Sequence, residues 1–157
     1  MGKFTRNLIE YDGIDTCNYE DITTFKQFNS DYKFILPVEK PDIEQLLKVK
    51  AETTIEHYEV VKTPVGISLE GQRVTGYKLL VSGDINVKYE YIASDPTQSI
   101  YSVAKRFPFC DYIVLPEDFN MSTMIFPSVS LEDIYSEQLD NRSVYNNLTI
   151  IAVVEVY

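Results

Sequence analysis

Tryptophan is missing from this sequence of 157 residues, histidine occurs once and cysteine twice. Each shortage removes a class of chemistry. Cys17, Cys110 and His57 cannot supply the four ligands of a structural zinc site. Any nucleophile–histidine pair would have to use His57, and neither cysteine sits in a sequence context that lowers a thiol pKa. The glycines form no phosphate loop, because Gly71 is not followed by Lys and then Ser or Thr. No apolar run approaches the ~20 residues of a membrane helix, so membrane insertion is not expected. The opening stretch MGKFTRNLIEYDG lacks the apolar core of a secretory signal, which sets the expectation of cytoplasmic synthesis. The sequence implies no catalytic residue, no metal ligand and no cofactor, and the chain reads as a non-enzyme.

Cations are also scarce, with 14 Lys and Arg against 24 Asp and Glu, for a net charge of −10. From Asp111 onward Arg142 is the only one. A surface of that sign repels nucleic acid, and no basic stripe in the sequence offers a footprint, so no nucleic-acid partner is expected. Adjacent acids such as Glu132 and Asp133 point to opposite faces of a strand, so such dipeptides do not build an acid/base pair.

What the sequence has is alternation. Leu79, Val81, Gly83, Ile85, Val87, Tyr89 and Tyr91 share one parity; Lys78, Ser82, Asp84, Asn86, Lys88 and Glu90 share the other. A two-residue period of this length marks a strand with one buried and one wet face. Gly83 is then expected to leave a small gap opposite a large neighbour, and Asp84 to be solvated. Leu69-Glu-Gly-Gln and Asp140-Asn-Arg read as turns. Leu47 to Ile55 alternates too, and the parity switches before Tyr58, which calls for a bulge or a bend. Leu148 to Val154 is apolar at nearly every position and belongs in the middle of a sheet or under another element. Ile43, Leu46 and Leu47 fall at helical spacing behind Pro41, which predicts a short helix near residues 41–47. Residues 1–31 hold no sustained period and read as an N-terminal arm with at most one short strand. The expectation is an all-β antiparallel two-sheet sandwich of about eight strands over residues 32–157.

The pattern PVGxSLEGxxxTGYKLLVxG from Pro64 to Gly83, with Pro96-Thr-Gln-Ser, Phe107-Pro-Phe and Tyr112-Ile-Val-Leu-Pro after it, resembles the SPOCS domain of clostridial spore-coat morphogenetic proteins over roughly Phe25 to Val156. The resemblance implies a sporulation protein made in the mother cell and placed at the spore surface or coat. It also implies a homo-oligomer, with other spore-coat proteins as partners. Related morphogenetic proteins add a LysM module for partner binding. No LysM-like segment is present in the sequence, so that role is not expected.

Two functions follow as expectations. The first is a structural protein that self-assembles into an oligomer or filament through its N-terminal arm. Its candidate contacts are Phe4, Leu8, Ile9 and Cys17 in the arm, Cys110, and the apolar loop residues Phe119, Met121 and Phe126. Cys17 and Cys110 could pair between chains under oxidising conditions. The alternative is a carbohydrate- or cell-wall-binding sandwich module that uses exposed Tyr and Phe beside acidic loops.

Overall fold

The computed structural model describes residues 2–15 and 22–156. Eight strands make up the chain: β1 (Gly2–Arg6), β2 (Ile9–Ile14), β3 (Thr24–Ile35), β4 (Ile43–Ile67), β5 (Arg73–Ala93), β6 (Ile100–Val114), β7 (Ile125–Gln138) and β8 (Ser143–Val156). They form one mixed sheet in the order β3-β8-β7-β2-β4-β5-β6, with β1 paired to β2. The all-β expectation holds, but two of the eight strands and most of a third lie before residue 32, so the body expected to hold about eight has fewer. The two-sheet antiparallel sandwich does not hold, and the reason is β2. This strand pairs in parallel with β4 over Glu10–Asp12 and makes a single bridge from Ile14 to Leu131 of β7, joining what would otherwise be two sheets.

The sheet curls so that its inner face meets itself. Phe34 of β3 packs on Tyr89 of β5 and Phe107 of β6, while Leu148 and Ile150 of β8 join the same core as Leu79 and Ile85 of β5. Its two edges, β3 and β6, meet through side chains. Tyr32 stacks on Phe107, Phe28 lies against Phe109, and Lys26 reaches Asp111 at 2.9 Å. The hydroxyl of Thr24 donates to the Val114 carbonyl, and that of Tyr32 to the Pro108 carbonyl. Pro108 fits within β6 because an edge strand can lose a ladder donor.

On β5 the alternation is as expected: Leu79, Val81, Ile85, Val87, Tyr89 and Tyr91 are buried, and Lys88 is exposed. Asp84 departs from expectation. It is nearly buried on the outer face, where Arg106 clasps it at 2.7 and 2.8 Å while also reaching Glu56.

No helix forms among the described residues, and the stretch expected to hold one opens β4. The ladder with β5 shifts register between Ile43 and Gln45 and again between Leu46 and Lys48. Each shift adds a residue to β4, so Ile43, Leu46 and Val49 reach the core three apart instead of two. Two bulges thus imitate the spacing of a helix. A third shift, between Ile55 and His57, accounts for the expected parity switch.

The arm also differs from expectation. Residues 2–14 form the β1–β2 hairpin, and β3 begins at Thr24, so this region supplies two strands and most of a third. β8 lies between β3 and β7, and Ile150 to Val154 are buried on both faces, as its unbroken apolar run requires.

Gly83 sits where β5 is crossed most closely by β4. A Cβ there would lie 1.9 Å from the Thr54 carbonyl oxygen, so the neighbour is backbone at the third bulge, not a large side chain in a gap. Backbone held in a ladder cannot give way as a flexible side chain can. Gly83→Ala is expected to cost about 2–4 kcal/mol, in the range of severe backbone and packing defects, read as a lower midpoint in chemical denaturation. Gly71→Ala, with no atom near the added methyl, is expected to cost less.

Candidate functional site

The densest polar group in the interior lies across the curled sheet. The Tyr89 hydroxyl donates to Asn146 Oδ1 at 2.6 Å, and Ser136 Oγ donates to the same oxygen at 2.6 Å. Tyr11 donates its hydroxyl proton to the Ser136 carbonyl and accepts from the Ser136 amide. Asn146 Nδ2 donates to the Tyr32 carbonyl at 3.3 Å. Each member is satisfied within the protein, and Tyr11, Tyr89 and Asn146 are fully buried, so the network ties strands together and has no opening for a substrate. Tyrosine hydroxyls here are not the wet tips that strand tyrosines usually show.

His57 lies in the strand bulge with its side chain exposed and Nε2 3.6 Å from Glu59. It faces no nucleophile. Glu117 is held by Arg73 at 2.7 Å. Among the described residues no group of three or more His, Cys, Asp or Glu could hold a metal ion.

The surface features gather at the two ends of the curled sheet. At the end where β4 turns into β5, Val65, Ile67 and Leu69 are exposed at the tip of the long hairpin. The β6–β7 loop lies at the same end, because the Leu115 amide donates to the Tyr77 carbonyl and Phe119 packs edge-on against Tyr77 at 5.4 Å. The expected apolar loop therefore divides. Phe119 is buried in its own domain, while Met121, Met124 and Phe126 stand 60, 64 and 47% exposed.

The β1–β2 hairpin lies toward the opposite end, since β2 starts beside the beginning of β4. Of the expected contacts there, Ile9 is buried and Phe4 stacks on Tyr11 at 5.0 Å. Leu8 is 78% exposed, and both Asn7 and Leu8 have positive φ (54° and 67°). Two left-handed residues are the geometry of the tight hairpin turn that favours Asn-Gly, so a leucine there is strained. Cys110 is exposed on β6 opposite Ser82, and Cys17 lies outside the described residues. The chain thus brings Met121 and Phe126 together, keeps Leu8 apart from them, and withdraws Ile9 and Phe119 into the core. The hairpin tip was missed in sequence because Val65, Ile67 and Leu69 straddle a turn and read as part of it.

The tip does not project straight. β4 shifts register between Lys62 and Val65, and on the facing strand Gly76 takes φ 105° at the same level. Bulge and glycine bend the hairpin over the outer face of β6, bringing Gln72 to the Tyr112 hydroxyl at 3.4 Å.

A family model described as SipL, SPOCS domain, matches residues 42–139. The chain belongs to the SPOCS-domain family. The match runs from the start of β4 through β7, covers well over half of the sequence, and lies within the stretch that carries the resemblance. No curated protein and no solved structure matches the chain. SPOCS membership makes this a sporulation-related protein, and the family is not a known enzyme family. No helix among the described residues is long and apolar enough to cross a membrane.

Burial pushes the Tyr89 pKa well above the ordinary tyrosine value, with a smaller rise from neighbouring Tyr11 and a partial offset from Ser136. Because the folded value lies above the unfolded one of about 10, the stabilisation is fully present below pH 10. It falls as pH rises further, when the unfolded chain ionises and the folded chain does not. Stability measured by denaturation from pH 8 to 11 is therefore expected to drop above pH 10, and Tyr89→Phe should flatten that drop. At pH 8 the same substitution should cost about 0.5–1.5 kcal/mol, since Asn146 Oδ1 loses one of two buried donors and keeps the Ser136 hydroxyl.

Proposed function

We propose that this SPOCS protein is a non-enzymatic structural component of the spore envelope that self-assembles into an oligomer or filament. The observation that carries the reading is exposed apolar side chains at both ends of the curled sheet, one at the first and a group at the second. Leu8 stands out at the β1–β2 turn, and Val65, Ile67, Leu69, Met121, Met124 and Phe126 stand out at the other end. Clustered exposed apolar side chains mark interaction surfaces. When such surfaces lie at opposite ends, subunits join head to tail and build a ring or an open filament. Leu8 adds weight because it is kept in a conformation that costs a leucine roughly 1–2 kcal/mol. Strain of that kind is retained where a side chain has a task. In this reading the arm acts through its hairpin turn, while β2 itself belongs to the sheet. Spore-coat proteins are the proposed wider partners, and the coat the proposed location after synthesis in the mother cell.

Electron microscopy and light scattering of the purified protein test the reading, with ordered polymers or rings expected. Leu8→Gly should stabilise the fold by about 1 kcal/mol through relief of the left-handed leucine and yet weaken assembly. Replacing Met121 and Met124 together by Ser should leave stability within about 0.5 kcal/mol, as for ordinary surface changes, and reduce assembly at least tenfold in critical concentration. A protein that stays monomeric at every concentration tested would remove the proposal.

A further inference from the structure

β4 is 25 residues long, and only part of one of its edges is covered. β5 pairs with it from Ile43 to Ile67, whereas β2 covers the opposite edge over Lys48–Lys50 alone. Gly13 then crowds the Ala51 carbonyl, and the Thr53 hydroxyl donates to the Val129 carbonyl. Beyond Thr53 no described strand pairs with that edge. The other long unladdered edges, those of β3 and β6, shield each other along their seam. An exposed strand edge is a row of free amides and carbonyls, and so a template for another strand.

Two close contacts fix which backbone groups look outward. The Ala51 carbonyl oxygen lies against Gly13 of β2, and the Thr54 carbonyl oxygen lies against Gly83 of β5. A strand alternates its hydrogen-bonding sides, so odd-numbered residues face outward at this level. The bulge between Ile55 and His57 shifts that phase by one residue. After it Tyr58, Val60 and Lys62 turn amide and carbonyl outward, up to the next bulge between Lys62 and Val65. Pro64 has no amide to donate and ends the run. Tyr58 and Lys62 are exposed, and Val60 is partly buried against the core.

We infer that this edge pairs with the same edge of a second copy, antiparallel and about a two-fold axis at Val60. Val60 then opposes its own counterpart, and Tyr58 opposes Lys62 of the second copy, twice by symmetry. All three residues face outward, so each opposed pair exchanges both of its backbone hydrogen bonds. Charge and backbone select this register. An axis at Glu59 or at Lys62 would oppose like charges, which destabilises a ladder. One at Val61 would set Pro64, without an amide, against Tyr58, and one at Tyr58 would draw the Ile55–His57 bulge into the centre of the new ladder. The axis at Val60 sets Glu59 against Val61 and lays the Lys62 ammonium on the Tyr58 ring, a cation–π contact. The contact is side to side and closed. It goes beyond the head-to-tail reading and stands without it, since Leu8, Met121 and Met124 take no part.

Sedimentation velocity and cysteine cross-linking of the full chain decide it, in a background of Met121→Ser and Met124→Ser that removes end-to-end contacts. A dimer is expected. Val60→Pro, a substitution an edge strand tolerates, should weaken the dimer at least tenfold by removing the central donor. Tyr58→Lys should weaken it at least fivefold by opposing two cations, and adding Lys62→Glu should restore it. That rescue requires the positions to meet between chains, since four residues along one strand span about 13 Å. With Cys17 and Cys110 replaced by Ser, Val60→Cys should form a symmetric disulfide, because hydrogen-bonded antiparallel partners lie about 5.5 Å apart. Val65→Cys should not. If the Val60→Pro chain fails to fold, the rescue and the cross-link still decide. A monomer in this background, a folded Val60→Pro chain that dimerises as before, no rescue, or equal cross-linking at Val60 and Val65 would each overturn the proposal. Polymers of the unaltered chain would then still support the head-to-tail reading.

Discussion

The structure depends on the inner row of β5. Leu79, Val81, Ile85, Val87, Tyr89 and Tyr91 present one continuous buried face, and both flanking strands are registered against it. Burying that row requires a second layer, which the same sheet supplies by curling until β3 and β8 lie opposite. The phenol of Tyr89 then spans the interior to Asn146 and fixes how far apart the two walls stand. Apolar contacts alone would allow several packings of similar energy. A buried hydroxyl and a buried amide that must find each other allow one.

The legible parts of the sequence were those where a single strand period ran without interruption. β5, the turns at Leu69–Gln72 and Asp140–Arg142, and the buried run of β8 could all be read because one rule governs each. β4 could not, since its first residues obey the sheet only after two insertions, and the resulting three-residue steps are indistinguishable from a helix turn. β2 was hidden for another reason. Six residues with a glycine next to the end carry too little pattern to announce a strand, and its neighbours β4 and β7 are far away in sequence. Once such a strand is overlooked, two separate sheets become the natural inference.

The candidate site was legible in composition and illegible in arrangement. That Met121 would be apolar and lie in a loop could be read directly, whereas Phe126 already belongs to β7. That Phe119 would turn inward onto Tyr77 could not, because both residues look alike in a string of letters. The bend of the β4–β5 hairpin is harder still, because it comes from a bulge on one strand and a left-handed glycine on the other, which sequence periodicity does not register.

The line along which β3 meets β6 bears on the mechanics of the wall. Most neighbouring strands are locked at the roughly 4.8 Å spacing of a hydrogen-bonded ladder, the single bridge between β2 and β7 excepted. Along this line the link is made of stacked rings, one lysine–aspartate pair and hydroxyls reaching carbonyls. Rings slide over one another and a lysine stem swings at little cost, whereas a ladder yields only by breaking. The curled sheet therefore has a seam that can slip at less cost than a ladder breaks, so any widening of the roll is expected to begin there.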